Sequence, residues 1–119
     1  MYRVPLDLDL SEIVGEFATQ VGVGQFDLRF TFGPVTFSVE SPVSLVRNGQ
    51  LIGSWEGGRW PDSTFFETMN SSVSTWEIPD DRTIVIRLEN GIEVHLTDNS
   101  DQYECIQISV AGRSDQTII

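Results

Sequence analysis

The sequence predicts a mainly β fold: antiparallel sheets, arranged as a sandwich or a partly open barrel, built from two related hairpin units with one or two short helices. Three observations carry that prediction. Apolar residues recur with period two in two stretches, a glycine-bearing turn divides each stretch, and the two stretches resemble each other. A chain of 119 residues, 39% hydrophobic before its 10 glycines are added, forms one core and one domain over 1–119.

Leu8, Leu10, Ile13, Val14 and Phe17 have a helix-like spacing, but Gly15, Gly22 and Gly24 limit it to a short turn between Leu10 and Gly15. Phe17, Thr19, Val21 and Val23 then alternate as a strand. Phe26, Leu28, Phe30 and Phe32 alternate with Asp27, Arg29 and Thr31, and after Gly33-Pro34 the alternation resumes as Val35, Phe37 and Val39. A two-residue type II′ turn at Gly33-Pro34 pairs Phe32 with Val35, Phe30 with Phe37 and Leu28 with Val39, so every apolar side chain falls on one face. Val43 and Leu45 begin the next strand.

The stretch 48–70 reads as a connection, interrupted by Asn48-Gly49, Gly53 and Gly57-Gly58. Within it a short helix is expected from Pro61 to Met69, capped by Asp62 or Ser63, with Phe65, Phe66 and Met69 as its apolar stripe. A strand containing Val73, Thr75 and either Trp76 or Glu77 follows, and the turn at Asp80-Asp81 leads into the second hairpin. There a two-residue Asn90-Gly91 turn would set Leu88 against Glu93 and mix the two faces. A three-residue loop, Glu89-Asn90-Gly91, with Gly91 in the left-handed position of a bulge, pairs Leu88 with Ile92, Ile86 with Val94 and Ile84 with Leu96. It also brings Arg87 opposite Glu93. The last strand carries Tyr103, then Ile106, Ile108 and Val110 against Gln107 and Ser109. Phe30, Phe37, Ile86, Leu88 and Val94 are the expected core.

Leu28-Arg29-Phe30 and Gly33 match Ile86-Arg87-Leu88 and Gly91 without a gap. The reading is a duplication, with one repeat over 15–47, the connection over 48–70 and a second repeat over 72–111.

Charge and composition narrow the function. Seven basic residues against 18 acidic ones give a formal charge of −11, which repels nucleic acid and anionic membrane surfaces. All seven are arginine, so lysine-dependent chemistry, including Schiff bases and the P-loop, is excluded. A single cysteine, Cys105, can make neither an internal disulfide nor a thiolate zinc site. No export signal and no membrane-spanning run is visible, so a bacterial cytoplasmic protein is expected.

No residue set announces catalysis, and no cofactor is expected. His95, the only histidine, falls on the outer face of the second hairpin beside Glu93 and opposite Val85, with no nucleophile near it in the pattern. Asp98, Asp101 and Glu104 gather acids at a strand end and supply oxygen ligands of the kind hard cations take, but their spacing is not that of an EF-hand. An ordinary Asx-rich turn is the preferred reading of them. The segment from Gly49 to Trp60 sets Trp55, Arg59 and Trp60 among glycines, and these are the residue types that anchor protein interfaces. Its other reading is a hairpin whose tryptophans close the end of a small core.

The hairpin pair, together with Asp101-Gln102-Tyr103-Glu104 followed by Ile106 and Ile108, resembles a family of small uncharacterised bacterial proteins with duplicated β-hairpin units. The resemblance spans about 15–112. It implies a fold of duplicated β units and transfers no active-site residue.

Three functions are open. The first is a non-enzymatic acidic protein-binding module, in its sharpest form an immunity protein or inhibitor that neutralises a basic toxin. Its expected contacts are Trp55, Arg59, Trp60, Asp98, Asp101 and Glu104. The second is a small-molecule-binding β-barrel with its phenylalanine face lining a cavity. The third is an enzyme using scattered acids such as Glu40, Glu56 and Asp98.

Overall fold

The structure, a computed structural model, describes residues 3–100, 103–113 and 116–119. Its strands are β1 (Ala18–Val23), β2 (Leu28–Phe32), β3 (Val35–Val39), β4 (Val43–Arg47), β5 (Gln50–Trp55), β6 (Val73–Asp80), β7 (Thr83–Leu88), β8 (Ile92–Thr97), β9 (Ile106–Val110) and β10 (Gln116–Ile118). They form two antiparallel five-stranded sheets, ordered β1-β2-β3-β9-β10 and β5-β4-β8-β7-β6. The arrangement is an open sandwich, and neither sheet closes into a barrel.

Both hairpins have the expected registers. Phe30 pairs with Phe37 and Phe32 with Val35 across the two-residue turn, where Gly33 has φ 56°. Ile86 pairs with Val94 and Arg87 with Glu93, while Gly91, at φ 91°, donates its N–H to the Leu88 carbonyl at 3.0 Å. The five expected core residues are all buried. Phe30, Phe32, Phe37 and Phe65 pack on one another, with ring centroids 5.9 to 6.3 Å apart. A phenylalanine-lined ligand cavity is therefore not what this face makes; the rings fill the core.

The chain exchanges strands between its halves. After the meander β1-β2-β3 it crosses to the other sheet through Glu40-Ser41-Pro42, where proline has no N–H to continue a ladder, and Val43 pairs with Leu96 of the second half. After β6-β7-β8 it crosses back, and Ile106 pairs with Val39 of the first. Each sheet is thus three strands of one half and a two-stranded hairpin of the other, and the strand order is the same in both when the halves are interchanged. Corresponding bulges interrupt β1 between Ala18 and Gln20 and β6 between Val73 and Thr75. In this correspondence Phe30 matches Ile86, two residues out of step with the gapless sequence match, because Gly33 is the first residue of its two-residue loop and Gly91 the last of its three.

Several details depart from the sequence reading. The β1 bulge shifts the alternation, so Ala18 is buried while Phe17 is exposed. Residues 48–70, read as a connection, contribute edge strand β5 and the 3-10 helix Ser63–Asn70. With three residues per turn, Phe65 and Thr68 share the buried face and Phe66 points to solvent. Asp62 stands at the N-cap position, but its carboxylate accepts the Ser54 N–H of β5 at 2.9 Å and makes no cap bond. The expected first turn is a 3-10 turn at Ser11–Ile13. No helix among the described residues is long and apolar enough to cross a membrane.

Candidate functional site

Strand directions bring five connections to one end of the sandwich: 24–27, 40–42, 56–62, 81–82 and 98–105. Loops held by a rigid sheet scaffold are where binding residues concentrate. Arg59, Trp60, Asp98 and Glu104 all lie on these loops. Trp55 is the last residue of β5 at the same end.

The 56–62 loop is fastened at both sides. Arg59 donates from Nη2 to the Ser54 carbonyl at 3.0 Å and to the Ser54 hydroxyl at 2.8 Å. Beyond Asp62, the Thr64 hydroxyl donates to the Ile52 carbonyl at 3.0 Å. The Gly58 N–H reaches the Gln25 carbonyl at 2.9 Å and joins this loop to the 24–27 loop, which is itself closed by Gly24 N–H to Asp27 carbonyl at 2.8 Å. Trp60 projects from this frame 78% exposed, and Phe26 is 63% exposed on the neighbouring loop. Beside Trp60 lies a shallow cleft of about 300 Å³ formed by Val23, Gly24, Gln25, Gly58, Arg59 and Trp60.

Trp55 and Asp98 are not surface contacts. Trp55 is 1% exposed and sits opposite Val43, so it is a core residue that no partner reaches in the folded state. Asp98, also 1% exposed, accepts from Arg3 Nη1 at 3.3 Å, from the Ser100 N–H at 3.2 Å and from the Cys105 thiol at 3.4 Å. Its role is to hold the crossover from β8 to β9. Glu104 is exposed, and Asp101 lies outside the described residues. Since Asp98 faces inward with its carboxylate occupied, it does not share an accessible ligand face with Glu104. Among the described residues, no group of three or more His, Cys, Asp and Glu side chains is arranged to hold a metal ion. Burial, and then the hydrogen bond to Asp98, push the Cys105 thiol above its ordinary value. It is a buried free thiol.

Phe26 was hidden from sequence reasoning. The alternation through Leu28, Phe30 and Phe32 places it on the core face, but the strand begins only at Leu28. The signal that locates it is the preceding Gly24-Gln25, which marks a turn.

A second polar cluster lies on the outer face of β6, β7 and β8. Arg87 pairs with Glu93 at 3.1 Å and with Glu77 at 3.5 Å, and the other Glu93 oxygen is 3.0 Å from His95 Nε2. His95 stands opposite Val85, as expected. His95 foremost, with Arg87, holds the Glu93 carboxyl below its ordinary value. No nucleophile appears in this network, which ties three strands together.

Comparison of the chain with family models, with curated proteins and with solved structures gives no match in any of the three.

Proposed function

We propose that the chain is a non-enzymatic module that binds a basic protein through the loop end of its sandwich, as a cytoplasmic immunity protein or inhibitor of a basic toxin does. The observation that carries this reading is that the chain's arginines are engaged internally while Trp60 stands exposed at the loop end. Arg3, Arg29, Arg47, Arg87 and Arg113 are paired with the chain's own carboxylates, and Arg59 and Arg82 donate to main-chain carbonyls. With its cations engaged internally and 18 acids against seven arginines, the surface attracts a cationic protein and speeds its approach. Trp60, held out by a fastened loop with Arg59 beside it, supplies the large rigid apolar contact that such long-range attraction lacks.

The test is capture of partners from the native cell by photo-crosslinking at position 60, followed by measured binding of each purified partner. The captured protein should be basic, its association rate should fall as salt rises, and Trp60→Ala should weaken binding about tenfold or more with the melting curve unchanged. A neutral or acidic partner, or one indifferent to Trp60→Ala, would contradict the reading.

A further inference from the structure

The surface around the 24–27 loop carries one groove whose two ends attract the same kind of group by different physics. Three shallow clefts of about 300, 250 and 270 Å³ run together there. The first two share Val23 and Gly24, and the last two share Asp27 and Arg29. Trp60 stands at one end with its ring open to solvent. The other end climbs onto the outer face of β2 and β3, where Asp27, just before β2, and Glu40, just after β3, flank the Leu28–Val39 pair.

That end is electrostatically unbalanced. Arg29 answers Asp27 at 3.4 Å, whereas Glu40 has no ion pair among the described residues. Asp27 and Glu40 lie at neighbouring strand ends with one guanidinium, which among the described residues pairs with Asp27 alone, and like charges so placed repel each other unless a cation joins them. At the Trp60 end the indole face attracts a cation through its quadrupole. Arg59 opposes this less than a free cation would, because its guanidinium is engaged by the Ser54 carbonyl and hydroxyl. Open, shallow and continuous, the groove suits a length of chain. Its main-chain fastenings mean that little ordering is required on binding.

We infer that this groove receives an extended cationic segment of the partner, with one arginine or lysine side chain against the Trp60 ring and a second between Asp27 and Glu40. The inference rests on the protein-binding reading above and names the part of the partner that it engages.

The experiment is an NMR titration of the intact chain with a short synthetic peptide alternating arginine and valine, set against the same peptide with glutamate for arginine and against maltohexaose. The arginine peptide should move the Trp60 indole N–H and the Gln25 and Gly58 amides, and the other two probes should not. Trp60→Ala and Glu40→Gln should each weaken the arginine peptide about two- to fivefold while leaving the melting curve unchanged. Shifts from the arginine peptide that fall only on the outer face of β6 to β8, or an affinity that neither variant changes, would overturn the groove and leave the protein-binding reading standing. Groove shifts from maltohexaose with none from the arginine peptide would overturn both.

Discussion

Phe30 lies between Phe32 and Phe65, with centroids 6.1 and 6.3 Å away, and is buried in the middle of β2. Truncating it leaves a void that neighbours on a paired central strand cannot fill. Phe30→Ala should cost about 3–5 kcal/mol in chemical unfolding, and a loss within experimental error would contradict this packing. Glu93 gives a pH-dependent counterpart. Its carboxyl lies below the ordinary value in the fold because of His95 and Arg87, so its contribution is present where the unfolded carboxyl is already ionised. That contribution disappears as pH falls through the folded value. Glu93→Gln should therefore destabilise the chain at neutral pH and progressively less as pH is lowered through the carboxylate range, which equilibrium unfolding at several pH values will measure. The tryptophans mark the limit of reading at this scale. Trp55 and Trp60 stand in the same glycine-rich composition, and what separates them is that β5 pairs with β4 up to Trp55, a long-range contact with no local signature.

At the scale of elements, turn chemistry and face consistency were legible. Only one loop length at each hairpin keeps Phe30 with Phe37 and Ile86 with Val94, and a one-residue slip would turn each apolar set to water. Gly91 sits where a β-carbon is disfavoured, so Gly91→Ala should destabilise by about 1 kcal/mol or more. An unchanged unfolding midpoint would show that the loop adopts another conformation. The bulges were not legible. Phe17 carries an inward phase in the sequence and points outward in the fold, because one extra residue ahead of Gln20 resets the alternation. Nor was the 3-10 geometry of Ser63–Asn70, which places Thr68 inside in preference to Phe66.

For the whole molecule, the exchange of hairpins between halves governs both stability and the placement of the loop end. Val39 needs Ile106 and Leu96 needs Val43, so neither half completes a sheet alone. Unfolding followed by tryptophan fluorescence and by far-ultraviolet circular dichroism should coincide in one transition. Separate transitions would mean that the halves fold independently. The exchange was invisible in the sequence because hydrophobic alternation says which face is buried and nothing about which distant strand lies alongside. The same topology carries the 24–27, 40–42, 56–62 and 98–105 connections to one end, bringing Phe26, which the alternation puts on the core face, and Glu40 to the same end as Trp60. The claim that this end is the docking surface is tested most directly by hydrogen–deuterium exchange of the chain with and without its bound partner. Protection should concentrate in 24–27, 38–42 and 56–62, with the turns at 33–34 and 89–91 unchanged, whereas protection centred on those two turns would contradict it.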